Sequence, residues 1–176
     1  VVIDTNTLKT LDKRELYSGL AEVIKMAATS DAVLFSLLES DLPLNEILDD
    51  IVGAALQIKC DVVFEDPLEH GLRKVLNFGH TIGHAIEIAS NGRLLHGESI
   101  AAGMTYFCSD EMRKRLERLL KRYYLPVKSP FSGEVLLPYI ALDKKRTEGL
   151  ITTVYVESPG IFDFRKMTPE EVVALI

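Results

Sequence analysis

The run from residue 73 to residue 98 constrains this chain more than any other stretch. It reads Arg-Lys-Val-Leu-Asn-Phe-Gly-His-Thr-Ile-Gly-His-Ala-Ile-Glu and continues to His-Gly-Glu. The spacing predicts a helix over 74–89, which sets His80 and His84 one turn apart on one face. Two imidazoles at i, i+4 can reach a single metal ion. Asn77 and Glu87 fall on the same polar stripe, and Arg73 extends it by a turn. Val75, Leu76, Ile82, Ile86 and Ile88 form the opposite side and are expected to face a core. Gly79 and Gly83 each cost a helix interior on the order of 1 kcal/mol against Ala. Two of them a turn apart point to close approach of backbone or of a ligand. After the turn-like Asn91-Gly92, the triplet His96-Gly97-Glu98 can fold a third imidazole back toward the pair. A lone His pair would not carry a metal site; three His and a carboxylate make one the expected reading.

The 176 residues suffice for one domain with a real core, and 47% apolar with 26% charged residues is ordinary for a globular protein. A net charge of −6 argues against generic nucleic-acid binding. The basic run Arg113, Lys114, Arg115, Arg118, Lys121 and Arg122, interleaved with Glu111 and Glu117, reads as a solvated helix face. Cys60 and Cys108 form no CxxC unit and are expected to be reduced core residues of an intracellular protein. With no apolar run of membrane-spanning length and no signal peptide, no membrane partner is expected and the cytoplasm is the default location.

Taken in order, Val1-Val2-Ile3-Asp4 reads as a short strand without a partner. The expectation is a fragment, with residues 1–5 the last strand of something preceding. Asp12-Lys13-Arg14-Glu15 has the form of a capping box opening a helix along Leu16, Leu20, Val23, Ile24 and Ala27. On it Glu22 and Lys25 are either an ordinary i, i+3 ion pair or a metal ligand with its neighbour; periodicity leaves both open. A second helix spans 31–39, and Pro43 opens a third that runs to about residue 64 and carries Lys59 near its end. Asp66-Pro67 breaks it into a loop bearing Glu69 and His70. One long helix is expected from Glu98 to about Tyr124, then another over 133–142, then a polar segment around Lys144. Leu150 to Val156 reads as a strand, Ser158-Pro159-Gly160 as a turn, and Thr168-Pro169-Glu170-Glu171 as a helix start. The fold class is mainly α, one helical domain over 1–176 with one or two short strands.

Four separated motifs carry a resemblance. Arg14-Glu15-Leu16 with Ser18-Gly19-Leu20-Ala21-Glu22-Val23-Ile24-Lys25, Asn77 through Glu87, His96-Gly97-Glu98 and Asp143-Lys144-Lys145 together resemble 3-dehydroquinate synthase, in its order and spacing. The match is to the C-terminal, metal-binding domain of that family. The resemblance implies a multi-helix domain packed beneath an N-terminal NAD-binding domain, the active site in the cleft between, and a homodimeric parent. It implies one Zn²⁺ or Co²⁺ held by Glu22, His80 and His96. It further implies that Lys25, Lys59, Glu69, Arg73, Asn77, His84 and Lys144 contact a sugar-phosphate substrate, with Lys145 able to replace Lys144. The implied catalytic set is His84, Lys25, Asn77 and Lys144. The implied reaction takes 3-deoxy-D-arabino-heptulosonate 7-phosphate to 3-dehydroquinate and phosphate in the shikimate pathway. In it NAD⁺ transiently oxidises an alcohol, phosphate leaves, the ketone is reduced back and the opened ring closes.

One departure stands out. No G-x-G-x-x-G phosphate loop occurs in these residues, so the chain alone is expected not to catalyse the reaction. Two alternatives compete. Another sugar-phosphate cyclase, like 2-deoxy-scyllo-inosose synthase, would share the metal triad but give Arg73 no carboxylate to grip. A non-catalytic helical interaction domain would have no metal affinity and would tolerate substitution at Glu22, His80 and His96.

Overall fold

The computed structural model describes residues 2–142 and 149–176. Among them lie eight α-helices, two 3-10 turns and one antiparallel hairpin. The 18-residue helix α1 (Lys13–Ser30) starts where Asp12 accepts a hydrogen bond from Arg14 N. Asp31, whose carboxylate caps Val33 N and Leu34 N, then opens α2 (Ala32–Glu39). Pro43 precedes α3 (Leu44–Glu65). Two shorter helices follow, α4 (His80–Ser90) and α5 (His96–Met104), then α6 (Asp110–Arg122) and α7 (Gly133–Ala141). The strands β1 (Ile151–Ser158) and β2 (Ile161–Met167) pair antiparallel across a turn in which Gly160 N bonds Ala28 O of α1. The last helix, α8 (Pro169–Val173), begins with the reciprocal cap of Thr168 and Glu171.

Helix α1 is the axis, touching α2, α3, α5 and the hairpin. Its small and branched residues Ala21, Ile24, Ala27 and Ala28 are fully buried, which lets neighbouring backbones come close. Around it Phe35, Ile51, Phe78, Ile82, Ile100, Leu116 and Val156 complete one continuous core.

Four expectations are corrected. The single helix over 74–89 is two elements, a 3-10 turn Leu72–Asn77 and α4, separated by Gly79 at φ 78°. A left-handed residue stops a right-handed helix, so Asn77 and His80 do not share one helical stripe, and Ile88, on α4, is exposed. The long helix from Glu98 is broken into α5 and α6. There Phe107 O accepts from Val156 N at 2.9 Å and Ser109 N bonds Val156 O at 3.1 Å, so the chain pairs briefly with β1. Ser109 Oγ then caps Met112 N and restarts the helix. Residues 2–4 carry no strand, and Thr5–Thr10 is a 3-10 turn; a strand needs a paired ladder, and no described element offers one there. Cys60 is exposed while Cys108 is buried, and burial pushes the Cys108 thiol up to about 12.

The basic face of α6 is also less solvated than its pattern implies. Arg115 grips Glu39 through Nε at 3.0 Å and Nη2 at 2.5 Å, and Arg122 donates to the carbonyls of Ser40 and Leu42. Together they clamp α6 to the α2–α3 link.

Candidate metal centre and substrate cavity

Glycine contacts bring the candidate metal ligands together. A Cβ on Gly103 of α5 would lie 2.2 Å from Gly79 O, and one on Gly83 would lie 2.9 Å from Ile100 Cα. The Gly79 and Gly83 signal is therefore close helix–helix approach, with α4 and α5 almost backbone to backbone. Where α5 meets α1, a Cβ on Gly97 would stand 1.9 Å from Ser18 O, and Gly97 N donates to Ser18 Oγ at 3.1 Å. Beside that contact, Arg14 of α1 grips Glu98 of α5 through two bonds of 2.6 and 2.7 Å. Glu98 also accepts from Leu95 N at 2.8 Å, capping α5. Arg14 beside it holds the Glu98 carboxyl below its ordinary range. Sequence reading quoted Arg14, Gly97 and Glu98 only as parts of motifs; their role is to lock α1 against α5.

Through these contacts one turn of α1 faces both histidine-bearing helices. Glu22 Oε1 lies 3.9 Å from His80 Nε2 and 3.7 Å from His96 Nε2. That oxygen is buried and has no hydrogen-bond partner among the described residues. A buried carboxylate oxygen left unbonded is costly. The other oxygen, Oε2, accepts from Lys25 Nζ at 2.5 Å. Burial opposes charge on Glu22, but Lys25 and the two histidines hold its carboxyl below the ordinary range.

Each of these two imidazoles has its Nδ1 against an acceptor: Phe78 O at 3.1 Å for His80, and Glu87 Oε2 at 2.9 Å for His96. Burial first, and then the Lys25 ammonium, lower the His80 pKa to about 3, so its ring is neutral and available as a ligand. His80, His84 and His96 can each place one ligand atom within 4.8 Å of the others'. The three-histidine set and the set Glu22, His80 and His96 thus share two members. The orphaned Glu22 Oε1 favours the carboxylate as third ligand, with His84 exposed at the edge. Tetrahedral zinc ligands, each about 2.0–2.1 Å from the ion, stand roughly 3.4 Å apart. The Glu22–His80 and Glu22–His96 separations are close to that, so this donor set fits a divalent cation.

Next to these donors lies a cavity of about 420 Å³. Seven of the residues singled out from sequence line it: Glu22, Lys25, Lys59, Glu69, Arg73, Asn77 and His80. They come from α1, α3, the loop after α3, the 3-10 turn and α4. His84 and His96 lie with His80 in the imidazole cluster rather than in the cavity wall, and Lys144 lies outside the described residues. Asn77 Nδ2 donates to Glu69 Oε1 at 2.8 Å, and Arg73 Nη1 to Pro67 O at 2.9 Å. Sequence reading took Asp66 only as a helix breaker; its carboxylate receives the backbone N–H of His70, Gly71 and Arg73 at 3.0, 2.7 and 3.0 Å. It shapes the loop in which Glu69 takes a left-handed φ of 59°. The signal was an Asp directly after a helix and before Pro.

The fold is that of the sugar-phosphate cyclases. It superposes on 2-epi-5-epi-valiolone synthase from Streptomyces hygroscopicus subsp. jinggangensis 5008, solved with NAD⁺ and Zn²⁺ bound, with a TM-score of 0.84 and 26% identity; the match covers 98% of this chain and 53% of that one. The fold also matches 2-deoxy-scyllo-inosose synthase complexed with carbaglucose-6-phosphate, NAD⁺ and Co²⁺, with a TM-score of 0.77, 20% identity, and 97% and 55% coverage.

Within that class, the family model described as 3-dehydroquinate synthase C-terminal matches residues 19–146, and the chain belongs to that family. Relatives named 3-dehydroquinate synthase include that of Enterococcus faecalis (strain ATCC 47077 / OG1RF), 38% identical over all of this chain and 53% of the relative. That of Saccharophagus degradans (strain 2-40 / ATCC 43961 / DSM 17024) is 40% identical over 91% of this chain and 49% of the relative. The chain spans about half the length of the curated relatives it matches. No helix among the described residues is long and apolar enough to cross a membrane.

Proposed function

We propose that this chain is the metal- and substrate-binding half of a 3-dehydroquinate synthase, a phosphate-eliminating carbon–oxygen lyase converting 3-deoxy-D-arabino-heptulosonate 7-phosphate to 3-dehydroquinate and phosphate. The observation that carries this reading is the convergence of the orphaned Glu22 oxygen, His80 and His96 beside a cavity lined with Lys25, Lys59 and Arg73. Glu22, His80 and His96 would hold Zn²⁺ or Co²⁺, which when bound acts as a Lewis acid on substrate hydroxyls.

The rest of the work falls to side chains of this chain. Arg73 offers a planar fork suited to the substrate carboxylate, a geometry Lys does not reproduce. Lys25, buried and paired with Glu22, supplies fixed positive charge next to the reacting hydroxyls. Lys59 and Lys144 bring further positive charge to a substrate carrying both carboxylate and phosphate. The Glu69–Asn77 pair orients polar groups toward sugar hydroxyls. His84 and Asn77 are assigned to the phosphate, whose departure donors stabilise as charge builds. Removal of the neighbouring C–H proton needs a positioned base, a role open to the leaving phosphate itself.

The NAD site is assigned to an N-terminal domain of the parent, because these residues hold no dinucleotide loop. The isolated chain is accordingly expected to release no phosphate above background with NAD and substrate supplied. A homodimeric, cytoplasmic parent completes the proposal.

A second reading is a cyclase acting on a carboxylate-free sugar phosphate, because the same fold occurs in the 2-deoxy-scyllo-inosose synthase solved with carbaglucose-6-phosphate. Calorimetry separates the two. Zinc is first titrated into metal-stripped chain beside Glu22→Gln and His80→Ala; one-to-one binding lost in both variants is expected. No zinc binding in any of the three chains would support the non-catalytic alternative. Substrate is then titrated into zinc-loaded chain. Preference for the carboxylated sugar phosphate, lost in Arg73→Ala, is expected; indifference to the carboxylate would favour the second reading.

A further inference from the structure

The polar stripe read from sequence ends in Glu87, and no role assigned so far uses it. Glu87 lies on α4, three residues after His84, and its Oε2 stands 2.9 Å from Nδ1 of His96 across the α4–α5 turn. We infer that Glu87 is a positioning residue for the metal centre, fixing the ring orientation and tautomer of His96 so that Nε2 faces Glu22. The inference rests on the metal reading above.

The chemistry is as follows. A neutral imidazole carries one N–H and one lone pair, and an ionised carboxylate only accepts. With Nδ1 against Glu87, the proton resides on Nδ1 and the lone pair on Nε2. That nitrogen points at Glu22 Oε1, 3.7 Å away. His80 is held in the same way, its Nδ1 against Phe78 O and its Nε2 toward the same oxygen. Two rings on two helices thus present the same nitrogen to one buried carboxylate oxygen, each locked from behind by an acceptor. A half-exposed His–Glu pair at a surface is ordinarily worth little. Here it decides which nitrogen a metal meets, and a carboxylate behind a ligating imidazole also raises its basicity. His80 relies on the backbone and cannot lose its acceptor by substitution; His96, the more exposed of the two, depends on a side chain.

The test uses the 176-residue chain, metal-stripped, at pH 7.5. Long-range proton–nitrogen NMR reports the His96 tautomer, and zinc titration reports affinity, in the parent, Glu87→Gln and Glu87→Ala. The parent is expected to show Nδ1–H. Glu87→Gln, whose amide oxygen still accepts, keeps that tautomer and binds zinc more tightly than Glu87→Ala. Glu87→Ala is expected to shift His96 toward Nε2–H and to weaken zinc binding about 10–100-fold, with little change in melting temperature because the Glu87 side chain is partly exposed and such a pair adds little stability. Retention of Nδ1–H and of parental zinc affinity in Glu87→Ala would overturn the inference. A parent chain that binds no zinc overturns the metal reading instead, while the tautomer still decides the role of Glu87.

Discussion

Replacing Gly97 by Ala perturbs the joint on which the proposed metal centre rests. Its Cβ would sit 1.9 Å from the Ser18 carbonyl oxygen, 2.6 Å from the carbonyl carbon and 2.8 Å from Ser18 Oγ. A carbon–oxygen contact becomes tolerable at about 3.4 Å, so α1 and α5 must part by roughly 1.5 Å at that point. Both nearest atoms are backbone, so no rotamer change relieves the clash. Overpacking of this kind costs about 1–3 kcal/mol, and weakening the Gly97–Ser18 hydrogen bond adds about 1 kcal/mol. The better helix propensity of Ala returns up to about 1 kcal/mol. The net loss of about 1–3 kcal/mol corresponds to a fall of roughly 2–12 °C in melting temperature for a domain of this size. Glu22 stands one turn beyond Ser18 and His96 immediately precedes Gly97, so the same displacement separates two of the proposed metal ligands. Zinc affinity is expected to fall at least tenfold, as when an outer support of a metal ligand is lost.

Thermal unfolding by circular dichroism and zinc titration check both effects. Gly53→Ala is the control: that glycine is exposed in α3 with open space around it, so the change should stabilise by up to about 1 kcal/mol and leave zinc binding alone. A Gly97→Ala chain that melts as high as the parent and binds zinc as tightly would refute the reasoning.

Further outcomes follow from the helix joint and from the loop. Glu98→Gln should melt below the parent at neutral pH. The folded-state pKa of Glu98 is depressed by Arg14, so its contribution is present above its ordinary value of 4.5 and disappears as pH falls through the folded value; melting curves of the two chains should converge in acid, and a gap that persists or widens there would count against the ion pair. Asp66→Ala should weaken substrate binding to zinc-loaded chain while sparing zinc affinity, because Asp66 orders the loop of Glu69 and the backbone of Arg73 but touches none of the metal donors. Calorimetry with each ligand separates the two, and equal losses in both would show that the loop and the metal centre are one unit.

Much of this protein was legible along the chain because the signals are local. Asp12, Asp31 and Thr168 announce helix starts through caps that reach only two or three residues. The His80–His84 spacing needs nothing beyond one helical turn, and the mainly helical class follows from apolar periodicity. The same kind of signal was present and overlooked at Ser109-Asp110-Glu111, a cap with acids in the first turn, where continuous periodicity suggested one helix through residues 105–109.

What the tertiary structure decided is of longer range. That the chain pauses between α5 and α6 depends on Val156 arriving nearly fifty residues later to pair with Phe107. That Gly79 and Gly83 serve helix contact rather than a ligand depends on Gly103 and Ile100 standing opposite. That Glu22 is more than the partner of Lys25 depends on Gly97 letting α5 close on α1, which carries His96 to within 3.7 Å of its orphaned oxygen. Caps and periodicity are fixed by bonds within a turn or two of chain. The meeting of Glu22 with His80 and His96 is set by where missing side chains let backbones touch, and that is decided only when the whole core packs.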